Sequence, residues 1–275
     1  MASQRDYALI LGASSGFGQA CAYALAENGF NIIGVHLDRA ATLPKVQETI
    51  EGIENRGVKA MFFNVNAADP DRRAEIIAAA KSEVNANVGA SVKVLLHSLA
   101  FGTLVPFVGE NARQSATQKQ MEMTLDVMAN SLIYWTQALV FEGLIGKDGR
   151  IFALTSAGSR RVLPAYGVVS AAKAALESYV RQLALELAPR GITANAICAG
   201  VTDTPALRRI PGNDVIIDHA HMRNPHHRLT TPEDVAKILA LLARPDAAWI
   251  TGTTIHVDGG EDAVDLTWWK KEENA

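Results

Sequence analysis

Tyr166 and Lys173 share the stretch "YGVVSAAK", seven residues apart. A phenol can hydrogen-bond or protonate an oxygen that is gaining negative charge. A nearby ammonium favours that charge, because an opposite charge within a few ångströms stabilises the ionised form. Taken singly, each residue has a plainer account: Tyr166 as an aromatic packed at a helix start after Pro164, Lys173 as a solvated helix lysine. A second chemical feature lies near the start of the chain, where "LGASSGFGQA" carries glycines at 12, 16 and 18 between an apolar run and a helical pattern. Glycines there let the backbone turn tightly and approach a phosphate. The helix that follows aims free N–H groups and its positive dipole end at the anion. Strand before and helix after is the context such a loop needs to bind a dinucleotide.

Short apolar runs at 7–11, 31–35, 59–63, 92–97, 150–155, 193–197 and 253–257 are expected strands. Helical patterns at 17–28, 70–86, 116–143, 170–188 and 232–243 lie between them, the last opened by Thr230, Thr231 and Pro232 with acidic residues in its first turn. Strands separated by helices predict a parallel sheet of seven strands covered on both faces, a doubly wound α/β fold. No repeat, low-complexity run or linker divides the chain, so 1–275 is expected to form a single domain.

An apolar fraction of 48% supplies an ample core, and a net charge of -3 offers no footprint for nucleic acid or an anionic membrane. No apolar run is long enough for a bilayer span. Cys21 and Cys198 sit in apolar runs and are expected to be reduced core residues. The first strand begins almost at once, with no signal peptide before it. A soluble, cytoplasmic protein is the expectation.

The G-x3-G-x-G spacing resembles that of the short-chain dehydrogenase/reductase family, and further segments resemble it in order over about residues 6–262. "NVNAAD" is similar to the family's adenine-contacting segment, with Asn64 and Val65 in the matching places. "LDVMANSLIYW" carries Asn130 where the family has an asparagine in its long fourth helix, Ser156 lies where the family has a carbonyl-polarising serine, and "HVDGG" resembles the last strand and turn. Three departures point one way. "HSLAFG" (His97 to Gly102) replaces Asn-Asn-Ala-Gly, Ala199-Gly200 replaces Pro-Gly, and the tyrosine stands seven residues before the lysine instead of four. All three resemble the enoyl-acyl-carrier-protein reductase branch.

That resemblance implies a Rossmann-type fold and NAD(P)H-dependent reduction of the 2,3 double bond of an enoyl thioester, on acyl carrier protein or coenzyme A. It implies that Tyr166 stabilises the enolate or passes a proton, that Lys173 holds the nicotinamide ribose, and that Ser156 and Asn130 assist. Gly12, Ser14, Ser15, Gly16, Phe17, Gly18, Asn64, Val65 and Ser98 are implied cofactor contacts, with Val201 and Thr204 at the nicotinamide carboxamide. A homo-tetramer is the implied assembly. The shifted tyrosine has a physical purpose: offsets of four and seven residues differ by about 60° and about 4.5 Å on a helix. Reducing an alkene conjugated to a thioester places negative charge farther from the hydride-accepting carbon than reducing a ketone does. A donor one turn along suits it.

His36 occupies the place where NAD-preferring members carry aspartate, and Asp38 and Arg39 follow. An acid would bind ribose hydroxyls and an arginine the extra phosphate of NADP, so Arg39 with His36 favours NADPH, with NADH the alternative. Segment 201–230 corresponds to the family's mobile substrate lid. Its "HAHMRNPHH" near Asp218 could be weighed as a metal site, but the H-x-H and H-H spacings do not suit a preorganised helix, and no metal is expected. Arg208, Arg209, Arg223 and Arg228 could meet an acidic carrier, or be solvated surface charge. Phe101, Leu104, Phe107 and Met222 could line an acyl channel or pack in the core. Trp268 and Trp269, in a tail over 262–275, could meet a neighbouring subunit. Two other readings stay open. A carbonyl reductase would need its donor at Val169, and a non-catalytic cofactor-binding protein would not need Tyr166 and Lys173 together.

Overall fold

The computed structural model describes residues 5–264; Trp268 and Trp269 lie outside the described residues. Seven strands form one parallel sheet: β1 (Tyr7–Leu11), β2 (Asn31–His36), β3 (Ala60–Asn64), β4 (Val92–His97), β5 (Arg150–Ser156), β6 (Thr193–Ala199) and β7 (Thr254–Val257). Their spatial order is β3-β2-β1-β4-β5-β6-β7. All residues of β1 and β2 are buried, as expected for strands covered on both faces. The helices are α1 (Gly16–Glu27), α2 (Leu43–Glu54), α3 (Pro70–Ala86), α4 (Gln118–Leu125), α5 (Ser131–Phe141), α6 (Gly167–Leu187), α7 (Asn213–Arg223) and α8 (Pro232–Leu242). One face of the sheet packs on α3, α5 and α6 around Trp135, Leu132 and Leu176. The other packs on α1, α2 and α8 around Leu25, Ile53 and Leu239. The chain order reverses direction across the sheet at β1 and β4, and this opens the crevice where doubly wound sheets bind ligands.

Helix starts follow local chemistry. Asp69 accepts hydrogen bonds from the amides of Asp71 and Arg72 to begin α3, and Thr231 with Asp234 forms a reciprocal cap on α8 behind Pro232. Helices α2 and α7 were not among the expected elements. The first begins with Pro44 in its opening turn, and the second carries too many histidine and charged residues to show an apolar stripe.

The single helix expected over 116–143 is corrected by the structure. It is broken into α4 and α5 by a wider π turn, Asp126–Asn130. Side chains pin the turn: Tyr134 donates to Asp126 Oδ1 at 2.8 Å, Tyr179 of α6 donates to Asn130 Oδ1 at 2.8 Å, and Ser131 Oγ donates to the Val127 carbonyl at 2.8 Å. Apolar periodicity carries no trace of these bonds. Because Ser131 spends its proton on Val127, it must accept from His97 Nε2, 2.9 Å away. His97 is therefore a fully buried neutral imidazole tying β4 to the π turn, and its Nδ1 has no partner.

Burial pushes His97 down to about 3, and the charge of Lys173 adds to the effect. The folded pKa lies below the unfolded value, so the unfolded chain takes up a proton that the fold refuses. Stability is present above pH ~6.5 and is lost as pH falls toward about 3. Urea denaturation across that window should show His97 contributing a slope of about 1.4 kcal/mol per pH unit. His97→Asn should flatten the profile by that amount; an unchanged slope would show that His97 titrates freely in the fold.

Candidate active site

Parallel strands place all their C-terminal ends on one edge, and the candidate residues collect there. Gly12 follows β1 with φ +90°, and a Cβ on it would lie 2.4 Å from the Ser98 carbonyl oxygen beyond β4. A Cβ on Gly18 would lie 1.9 Å from the Gly12 carbonyl oxygen. Neither position can carry a side chain, so the loop is pressed between the end of β4 and the first turn of α1. Ser15 precedes α1 without a side-chain cap, which leaves the amides of Gly16, Phe17 and Gly18 pointing outward. This cradle fits the pyrophosphate of a dinucleotide, with Ser14 beside it.

At the end of β2, the ring of buried His36 lies with Nδ1 2.9 Å from Asp38 Oδ2. Asn64 holds the Asp38 backbone at both ends, accepting from its N–H at 2.8 Å and donating to its carbonyl at 3.0 Å. Thr42 donates to Asp38 Oδ1 at 2.8 Å. Burial alone would raise the Asp38 carboxyl, but hydrogen bonds with Ser14, Thr42 and His36 outweigh it and hold the group below its ordinary value. Val65 continues β3, its N–H donating to the His36 carbonyl. Arg39 is exposed and makes no side-chain hydrogen bond or ion pair among the described residues.

Tyr166 stands at the start of α6 with helical backbone angles, and its carbonyl accepts from the Ser170 amide at 2.8 Å. Helical geometry therefore does reach back to the tyrosine. The residue before it, Ala165, is held at φ 59°, a left-handed conformation that costs a non-glycine residue on the order of 1 kcal/mol. A Cβ on Gly158 would lie 2.5 Å from Tyr166 Cε1 and 3.2 Å from Ser156 Oγ, so the tyrosine ring and the serine hydroxyl meet across this glycine. Burial raises the Tyr166 phenol and the Ser156 hydroxyl partly opposes it. Ser156 Oγ has no partner that meets full hydrogen-bond geometry, so we read the contact as close but not well aligned.

Lys173 is buried, and its ammonium donates to the Leu154 carbonyl at 2.6 Å. Burial brings it down to about 8, against the charge of Glu177 one turn along. Val169, four residues before the lysine, is 5% exposed and closed over by the chain after β4. A Cβ on Gly102 would be 2.8 Å from Val169 Cγ2, Met128 Sδ and Thr124 Cγ2 alike. The place of a donor four residues back is therefore filled by packed hydrocarbon.

The Asn130 side chain is taken by Tyr179, which leaves its backbone for the site. One expectation changes. Val201 has neither backbone group free: its N–H donates to Glu261 Oε2 at 3.0 Å and its carbonyl accepts from the Thr230 amide at 3.1 Å. Among the described residues, the amide of buried Thr202 has no acceptor, so the next residue is the better candidate for a carboxamide. Thr204 does face the Gly-rich loop, its Cγ2 being 3.6 Å from where a Gly16 Cβ would stand. Thr202, Gly158, Ala165 and Tyr179 were missed because nothing in their spacing marks them.

In segment 201–230, Arg208 pairs with Asp203 through two bonds of 2.7 Å, Arg228 pairs with Asp234, and Arg223 donates to the Glu261 carbonyl. His219 and His221 lie on α7 and His226 and His227 beyond its end. Phe101, Phe107 and Met222 are half-exposed, whereas Leu104 packs on the core. Val162 and Val215 are exposed apolar side chains as well.

No helix among the described residues is long and apolar enough to cross a membrane. The family model described as "Enoyl-(Acyl carrier protein) reductase" matches residues 12–261. An enoyl-[acyl-carrier-protein] reductase [NADH] of Aquifex aeolicus is 35% identical over 170 residues, 62% of each chain. The crystal structure of an enoyl-[acyl-carrier-protein] reductase (NADH) from the same strain superposes with a TM-score of 0.78 at 28% identity, covering 94% of this chain and 97% of that one. A 1-cyclohexenylcarbonyl-CoA reductase of Streptomyces collinus is 31% identical over 96% of this chain and 89% of its own. A 3-oxoacyl-[acyl-carrier-protein] reductase of Staphylococcus epidermidis is 29% identical over 92% and 97%. With the Gly-rich cradle, the parallel sheet and Tyr166 and Lys173 at the head of α6 already in place, these likenesses establish that the chain belongs to the short-chain dehydrogenase/reductase family, resembling its enoyl-acyl-carrier-protein reductase branch, and is an NAD(P)H-dependent oxidoreductase.

Proposed function

We propose that this enzyme reduces the 2,3 double bond of an enoyl thioester, with NADPH preferred. The observation that carries the reading is the displaced donor: Tyr166 sits at the head of α6 while Val169 is sealed under Gly102. The reduced nicotinamide, when bound, supplies a hydride to the β-carbon. The electron pair of the double bond then moves toward the thioester oxygen, which gains the charge. Tyr166 hydrogen-bonds that oxygen, and Lys173, charged below about pH 8, favours the charge beside it. A proton delivered to the α-carbon, from Tyr166 or from solvent, completes the saturated thioester. Segment 201–230 serves as a lid that excludes water, and the half-exposed Phe101, Phe107 and Met222 receive the acyl chain. The whole chain acts as a single catalytic domain.

The cofactor preference rests on Arg39, which is exposed and, among the described residues, has no side-chain partner, while the Asp38 side chain is committed to His36 and Thr42 and its backbone to Asn64. Arg208 and Arg228 are neutralised by Asp203 and Asp234, whereas exposed Arg209, and Arg223 on a neutral carbonyl, keep their charge in the lid, so acyl-carrier-protein and coenzyme A thioesters are both to be tried. Carbonyl reduction is the second reading, favoured by the Staphylococcus epidermidis relative. The exposed Phe141 and Leu185 on α5 and α6 support the homo-tetramer, which light scattering of the purified protein should report as four chains; a monomer would leave those side chains unexplained.

Oxidation of NADPH and NADH should be followed with crotonyl and longer 2-enoyl thioesters beside a panel of ketones. Turnover of enoyl substrates, falling about 10²-fold or more in Tyr166→Phe, is expected. Arg39→Ala should erase the NADPH preference. Turnover of ketones alone would overturn the enoyl reading. The alkaline limb of kcat/KM should fall above about pH 8 as Lys173 loses its proton, and Lys173→Arg, which stays charged, should abolish that limb. A limb that persists unchanged in the arginine variant belongs to another group.

A further inference from the structure

The turn after β7 holds two segments that flank the reacting centre. Asp258 shapes the turn, its carboxylate accepting from the amides of Gly260 at 2.9 Å and Asp262 at 3.1 Å. On one side the turn grips segment 201–230. Glu261 Oε2 takes the Val201 amide at 3.0 Å, the Glu261 carbonyl takes Arg223 at 2.8 Å, and the Asp258 carbonyl takes Asn224 at 2.9 Å. On the other side it grips the loop between Ser156 and Tyr166. Asp262 pairs with Arg160 at 2.7 Å and with Arg161 at 2.5 Å. Both arginine amides donate to the Ala157 carbonyl, in the short turn that begins beside Ser156.

We propose that the turn Asp258–Asp262 is a clasp that couples the lid to the catalytic loop, with Glu261 and Asp262 as positioning residues for Thr202 and Tyr166. This rests on the reading of 201–230 as the lid of the Tyr166 site. Glu261 and Asp262 are adjacent in sequence on a turn braced by its own carboxylate, so a shift of one grip moves the other. Glu261 is 5% exposed, and a carboxylate so buried is costly unless its hydrogen bonds hold it in one place. His256, Asp258 and Asp262 bring ligand atoms within 4.8 Å of one another, which could suggest a cation site. Two arginines already neutralise Asp262, and the group is better explained as the centre of the clasp.

Hydrogen exchange read by mass spectrometry tests the coupling without a substrate. In Asp262→Asn and Asp262→Ala, the peptide over 157–166 should exchange faster, and so should the peptide over 201–207, by about threefold or more, although Asp262 makes no bond to it. Glu261→Ala should reciprocally loosen 157–166. Exchange of 92–98, in the core strand, should not change. Loosening confined to each variant's own contact would overturn the coupling, and faster exchange throughout would reduce both residues to general stability. With a turnover substrate, kcat/KM should fall about tenfold in Asp262→Asn while the cofactor Kd stays within twofold, and Asp262→Glu should recover most of the loss. If no thioester or ketone turns over, the proposed reaction fails on that ground while the exchange result still decides the clasp.

Discussion

A buried ammonium is the constraint to which the site is built. Lys173 lies on the inner face of α6, and its only hydrogen bond within the described residues runs to the Leu154 carbonyl of β5. An ion taken out of water that far is unfavourable, and one neutral carbonyl does not offset the loss. Glu177 lends distant charge but makes no ion pair with it, being committed to Thr155 at 2.6 Å. In the reaction proposed above, ribose hydroxyls as acceptors and the negative charge developing on the reacting oxygen supply the rest. A partner whose charge grows as the reaction proceeds gives the differential binding that accelerates chemistry.

The same helix explains how the donor could move without the fold changing. Tyr166 stands at the N-cap of α6 and Val169 lies in its first turn. At 169 the chain after β4 closes down so tightly that Gly102 has no space for a methyl group, and a valine fills what is left. At 166 the backbone is forced through a left-handed Ala165, and Gly158 yields room for the phenol ring. Packing has closed one position and opened the other. The strain at Ala165 persists because Tyr166 is fixed on both sides, by the helix through Ser170 and by the wall containing Ser156.

Much of this was legible in the chain, for identifiable reasons. Strands such as "YALIL" are continuous apolar runs because both faces are covered, and they stand out from any amphipathic pattern. The Gly-rich loop shows itself because a steric prohibition leaves glycine as the only choice at 12 and 18. The π turn was invisible because it depends on hydrogen bonds between residues far apart in sequence, such as Tyr179 with Asn130. The bond that occupies the Val201 amide was invisible for a related reason. Its backbone is claimed by Glu261, sixty residues away, and no local pattern announces that bond. Local rules reveal elements and loops; they do not reveal which backbone groups a distant side chain will take first.

That distinction also governs the cofactor question. From sequence, Asp38 and Arg39 stand as equals, one suited to ribose hydroxyls and one to a phosphate. In the fold they are not equals. The Asp38 carboxylate is held by hydrogen bonds with His36, Thr42 and Ser14, which outweigh burial and keep it below its ordinary value, while Asn64 fixes its backbone. Turning it toward a ribose would forfeit them. Arg39 forfeits no such bond, because its side chain is exposed and makes no hydrogen bond or ion pair among the described residues. Under the NADPH reading proposed above, His36 has a use that its position alone does not suggest: buried against Phe62 and bonded to Asp38, it helps hold the acid back from the ligand. Removing the arginine charge is thus a change at the ligand itself, whereas removing the histidine releases the aspartate, and the two should move the cofactor preference in the same direction by different routes.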